Sequence, residues 1–156
     1  MIAVLAIAWA AALGADNLLG NPGFEETVNQ RPAAWDVYLQ DAAVSLARVD
    51  GAAQSGAWSA MIQNALPYDQ EPYNNWSQNV VQKLGGQRLR VAASVRTENV
   101  GGAALWVQCW QERPLRVLRI ADTSEATPIS GTHDWQALSL YFTPPPGTDF
   151  LTVRCV

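Results

Sequence analysis

Strict two-residue alternation is the feature that most narrows the fold. In 87–97, QRLRVAASVRT, Leu89, Val91, Ala93 and Val95 fall on one side, and Arg88, Arg90, Ala92, Ser94 and Arg96 on the other. That period belongs to a half-buried strand, since successive strand side chains point to opposite faces. Similar short runs occur at 34–39, 43–49, 57–63, 77–84, 104–110, 115–120, 135–142 and 150–156. Turn signals separate them: Asn21-Pro22-Gly23, Gly51, Gly56, Gly85-Gly86, Gly101-Gly102 and the run Pro144-Pro145-Pro146-Gly147. The stretches 64–77 and 129–135 read as loops. No window sustains a helical period over three turns. An all-β, antiparallel β-sandwich follows.

With 156 residues, 49% of them hydrophobic, the chain suits one domain with one core. A net charge of −4 offers no general attraction to phosphate backbones, so nucleic acid is excluded as a natural partner. The apolar run 2–15 is too short for a membrane span, which takes about 20 residues. Small residues at Ala12, Gly14 and Ala15 suit a signal-peptidase site, so 1–15 is expected to be a signal peptide, 16–156 the folded domain, and the protein secreted. No Lys or Arg precedes the run, and a buried first strand is the alternative. Cys109 and Cys155 fit either one disulfide or two buried thiols.

The segment 104–110, ALWVQCW, carries the chemistry. Leu105, Val107 and Cys109 make an ordinary core face. Trp106, Gln108 and Trp110 make the opposite one, two indoles around an amide spread over about 13–14 Å. Two indoles on an outward face suit a flat ligand such as a sugar ring. Tyr73 and Trp76, from the loop-like stretch 64–77, are expected to flank the same groove. The bland account of each aromatic is that it covers an end of the core. Catalysis has little support: HExxH, GxSxG, GxGxxG and the P-loop pattern are absent, and His133 beside Asp134 reads as a turn residue. Loop carboxylates at Asp69, Glu71, Glu112 and Glu125 leave a glycosidase as a weaker reading.

Taken together, NLLGNPGFEE, Trp35, SGAWSA, QNVVQKLGG, RVAASVRTENVGGA and GTHDWQALSLYFTPPPGTDFLTVRC resemble carbohydrate-binding modules of the family-four and family-nine type. The resemblance runs from Asn17 to Val156. It implies a jelly roll of galactose-binding-like topology and a non-catalytic domain that holds polysaccharide on one sheet. It also implies a structural calcium (Ca2+), with Glu25 as a ligand and Asp50 and Gly51 completing part of the shell. Members continue into one more strand, so the chain is expected to lack its last strand, leave a gap in one sheet, and belong to a longer protein with an attached catalytic domain. Jelly-roll connectivity makes 104–110 and 150–156 neighbours. Thr152 and Arg154 then join Trp106, Gln108 and Trp110 on the open face, and Cys109 and Cys155 share the inner side. The function that follows is polysaccharide binding. The alternative is a structural or adhesion sandwich that docks a neighbouring domain through the Trp face.

Overall fold

The computed structural model describes residues 2–5 (backbone only), 17–65 and 73–156. Its strands are β1 (Ile2–Leu5), β2 (Thr27–Val28), β3 (Arg31–Pro32), β4 (Asp36–Tyr38), β5 (Ser45–Asp50) and β6 (Ser59–Asn64). They continue with β7 (Asn75–Val80), β8 (Leu89–Ala103), β9 (Leu105–Gln111), β10 (Arg116–Asp122), β11 (Ile129–Phe142) and β12 (Phe150–Cys155). One five-stranded sheet runs β11-β8-β1-β6-β5 and the other β10-β9-β12-β7-β4, while β2 and β3 form a small ribbon. Every pairing is antiparallel. The all-β sandwich read from the alternation, of the jelly-roll type that the resemblance implied, is therefore what the chain adopts. Among the described residues no helix is long and apolar enough to cross a membrane.

The inner faces meet as the alternation requires. Val91, Ala93 and Val95 of β8 and Ala60 and Ile62 of β6 share one core with Leu105, Val107 and Cys109 of β9 and Leu151, Val153 and Cys155 of β12. Burying each aliphatic side chain is worth about 1.5–3 kcal/mol, which is what holds the sheets face to face. The N-terminal loop closes one end of that core. Phe24, fully buried, packs on Trp35 with ring centroids 5.2 Å apart, and the Trp35 indole donates to the Asn21 carbonyl at 3.0 Å. Gln78 points inward from β7 and ties the loop down: its amide donates to the Gly20 and Ala34 carbonyls at 2.9 and 2.7 Å and accepts from the Gly20 N–H at 2.7 Å.

Several sequence expectations change. Residues 2–5, expected to belong to a leader, pair with β6 on one side and β8 on the other within the first sheet. The rest of that leader, Met1 and residues 6–15, lies outside the described residues, as does Asp16. The stretch 129–135 is the first half of β11, a strand whose register shifts three times against β8, which is why its alternation is hard to read. At Gly101-Gly102 the chain stays in β8 and passes to the other sheet through Ala104.

The thiols are free. Both face inward, but Cys155 stands opposite Leu105, four residues from Cys109. At strand rise that separates them by about 13 Å, whereas disulfides join Cα atoms about 4.4–6.8 Å apart. Burial pushes both thiols above their ordinary range; at Cys109 the nearby Arg119 guanidinium partly opposes it.

Candidate functional site

β9, β12, β7 and β4 present one continuous outer face. With Leu105, Val107 and Cys109 committed to the core, Trp106, Gln108 and Trp110 must point out, and all three are half-buried. On β12, buried Leu151, Val153 and Cys155 leave Phe150, Thr152 and Arg154 on the same side. The register aligns these strands into rows. Arg154 pairs with Trp106 and with Ser77, and Ser77 with Asp36; Thr152 pairs with Gln108 and with Asn79; Phe150 pairs with Trp110.

The row through Arg154 ends in a recess of about 260 Å³ lined by Tyr38, Tyr73, Asn75, Ser77 and Arg154. Tyr38 and Tyr73 are 54% and 63% exposed, which leaves ring surface open to a ligand at the rim. Asn75 is buried and spends its amide on the Tyr73 carbonyl at 2.7 Å, so it fixes the rim and is closed to glycosylation. In the middle row the Thr152 hydroxyl donates to the Asn79 amide oxygen at 2.7 Å.

At the other end, Trp110 lies parallel to Phe150, 7° between planes and 5.9 Å between centroids. One face of that indole is thus shared with a neighbouring ring, so Trp110 and Phe150 form a two-ring unit instead of the isolated platform expected from sequence. Covered, partnerless polar atoms concentrate on this face. Among the described residues five buried side-chain polar atoms lack a hydrogen bond, and four of them are Trp106 Nε1, Gln108 Oε1, Trp110 Nε1 and Arg154 Nε. Each such group costs about 1–3 kcal/mol, so a cluster of four calls for a reason.

Of the sequence-assigned binding residues, the fold brings Trp106, Gln108, Trp110, Arg154 and Tyr73 onto one face. Trp76 is a correction. It is 0% exposed, its indole donates to the Met61 carbonyl at 3.2 Å, and it belongs to the core. The segment around it is strand β7, whose outward residues are Asn75, Ser77 and Asn79, so position 76 must face in. Tyr38 and Ser77 escaped the sequence reading. Alternation in AWDVYL was the available signal, with Trp35 and Val37 inward and Asp36 and Tyr38 outward.

The residues assigned to calcium are engaged otherwise. Glu25 accepts the Ala57 N–H on both oxygens at 3.1 Å and the Trp58 N–H at 3.4 Å. It crosses Gly56, whose φ of +71° and close approach leave no room for a Cβ. Asp50 accepts the Ala52 N–H at 2.8 Å and lies 3.7 Å from the Arg48 guanidinium, and Gly51 is an exposed turn residue next to it. Calcium takes 6–8 oxygens, yet the described residues gather no group of three His, Cys, Asp or Glu that could hold a metal. As arranged, these side chains fit loop caps.

His133 faces the Ser130 carbonyl at 2.8 Å and the Gln136 amide at 3.2 Å. Its ring is occupied in shaping the irregular half of β11.

No family model matches the chain, and no curated protein matches it. Solved structures do. The enzymatically active domain of tailspike protein 4 from bacteriophage CBA120 is similar over 86% of this chain at 10% identity and TM-score 0.62; the match spans only 19% of that chain. TmCBM61, solved with β-1,4-galactotriose, is similar over 90% of this chain and 86% of its own, at 16% identity and TM-score 0.53. The CBM22-1 xylan-binding domain of Xyn10C from Paenibacillus barcinonensis is similar over 93% of this chain and 92% of its own, at 16% identity and TM-score 0.55. Neither of the two modules is of the family-four or family-nine type that the sequence suggested. What they share with this chain is architecture: the jelly-roll β-sandwich that carbohydrate-binding modules have.

Proposed function

We propose that the chain is a non-catalytic polysaccharide-binding module whose ligand lies across the outer face of the β10-β9-β12-β7-β4 sheet. The observation that carries this reading is the convergence of Trp106, Trp110, Gln108 and Arg154 on one half-buried face that runs into the Tyr38–Tyr73 recess. Sugar C–H faces pack on aromatic rings, and hydroxyls exchange hydrogen bonds with amides and guanidinium groups. Trp106 and the tyrosines supply open ring surface, and the Trp110–Phe150 pair extends it. The span between the two indoles suits an oligosaccharide. An open face with few ordered contacts binds weakly, with a dissociation constant of order ~1 µM to ~1 mM.

Export belongs to the same proposal, with 1–15 as its signal and a catalytic domain as the module's natural companion in a longer protein. The mass of the secreted protein decides whether cleavage follows Ala15 or leaves β1 in place. A second reading, a face that docks another protein domain, draws on the covered indole N–H groups and on the Trp110–Phe150 stack.

Affinity electrophoresis against galactan, xylan, β-glucan and mannan tests the first reading. Retardation in at least one gel that Trp106→Ala with Trp110→Ala abolishes supports it. Identical migration of wild type and variant in every gel overturns it and leaves the docking face.

A further inference from the structure

We infer that the glycan carries carboxylates, and that Arg154 is the residue that reads them. The inference rests on the polysaccharide-binding reading and deepens it to a substrate class, the uronate-containing polysaccharides.

Arg154 lines the recess together with Tyr38, Tyr73, Asn75 and Ser77, a set with one positive charge and no negative one. Among the described residues its guanidinium has no ion pair and no hydrogen bond, and its Nε is covered without a partner. The carboxylates in its own row do not compensate it. Asp36 and Asp122 each sit two strands away, Asp36 beyond Ser77 and Asp122 beyond Trp106, or about 9–10 Å at strand spacing. Asp122 is moreover held by the N–H and hydroxyl of Ser124. A half-buried guanidinium without a counter-ion is unusual, because a charge taken from water needs pairing.

The planar fork of Arg matches a carboxylate in two parallel hydrogen bonds, a geometry a neutral hydroxyl cannot return with equal strength. Trp106, Cα partner of Arg154, places ring surface beside that fork. A pyranose packed there would direct a C5 carboxylate at the charge. The protein's net charge of −4 opposes acidic polymers at a distance, so the preference has to come from this local contact.

Binding of purified wild type to polygalacturonate, alginate and glucuronoxylan is compared with binding to the same polymers after carboxyl reduction, and with unsubstituted xylan. The expected result is at least tenfold tighter binding to one acidic polymer than to its reduced form. Arg154→Met should remove the preference for the acidic form over its reduced form, whatever it does to binding of neutral polymers, and Arg154→Lys should restore only part of that preference. Equal affinity for acidic and reduced forms overturns the uronate assignment and leaves a neutral-glycan module. Absence of binding to every polymer overturns the module reading and this inference with it. The wild-type comparison needs no variant, so a folding defect in Arg154→Met leaves the test decisive.

Discussion

On the outer face of the β11-β8-β1-β6-β5 sheet, Arg88 and Arg90 lie 5.0 and 5.9 Å from the centre of the Tyr141 ring, and Arg48 pairs with Asp50. On the outer face of the other sheet, Arg154 Nε, two indole N–H groups and an amide oxygen are covered without a partner among the described residues. Both faces arise from the same alternation over the same core. Charge and aromatic surface are present on both; among the described residues the covered, partnerless polar atoms of the outer faces lie on the second sheet. On the proposed reading that asymmetry, more than exposed aromatic area, singles out the second sheet, because Tyr141, 59% exposed, would otherwise rank with Tyr38 and Tyr73.

Both faces depend on the core between them, and its largest fully buried side chain is Trp76. Trp76→Ala should lower unfolding stability by about 3–5 kcal/mol, the usual cost of emptying an aromatic core site. Trp106→Ala, from a half-buried outer position, should cost about 1 kcal/mol or less. Urea unfolding of the two variants side by side checks the ranking. Equal costs would mean that the inward and outward tryptophans have been confused.

Such a confusion is easy to make from sequence. Alternation in 89–95, 105–110 and 150–155 is clean, so the core faces of β8, β9 and β12 were legible, while the pairing of β9 with β12 came only with the connectivity that the family resemblance implies. Trp76 was not, because the prolines and asparagines before it look like a loop, and a loop has no phase. Once β7 starts at Asn75, the pleat sends Trp76 inward, and one residue of phase separates a binding residue from a core one. Register was equally hidden. Which residue of β9 faces Cys155 depends on turns far along the chain, so two inward cysteines four residues out of step could pass for a pair. The run at 2–5 had composition without context: apolar residues suit a leader and an inner strand alike, and only the neighbours β6 and β8 make the strand. The recess needed Tyr38 and Tyr73 from segments 35 residues apart, which no local pattern brings together.

Next in size is the pin that carries the N-terminal loop to the back of the binding sheet. Gln78→Met keeps the volume but leaves the Gly20 and Ala34 carbonyls and the Gly20 N–H unpaired, which should cost about 2–3 kcal/mol in urea unfolding. The corresponding cap at the other sheet, Glu25→Gln, keeps an acceptor but loses the charge that favours the Ala57 and Trp58 N–H groups, and should cost about 1 kcal/mol. Repeating the Glu25→Gln measurement with calcium and with chelator separates a bare cap from a cation site. A melting temperature of wild type that rises with calcium, and fails to rise in the variant, would give Glu25 the second role.

Within the binding face the two indoles should not be equivalent. Trp106→Ala is expected to weaken glycan binding by at least tenfold, about 1.4 kcal/mol. Trp110→Ala should weaken it less, since Phe150 already covers one side of that ring and remains after the substitution. Titration calorimetry on the best-retained polymer gives both values. A larger loss at Trp110 would move the centre of the site away from the Tyr38–Tyr73 recess.

The smallest effect is expected on the satisfied face, and it is the sharpest control. Tyr141→Ala removes the ring against which Arg88 and Arg90 rest, contacts worth about 0.5–1 kcal/mol each at exposed positions. Both guanidinium groups return to water, so stability should fall by no more than about 1–2 kcal/mol. Glycan affinity should not move at all, because the sandwich, with its sheets about 10 Å apart, stands between Tyr141 and Trp106. If Tyr141→Ala instead weakens binding as much as Trp106→Ala does, partnerless polar groups are not what marks the site: the ligand then sits among the arginines of the first sheet.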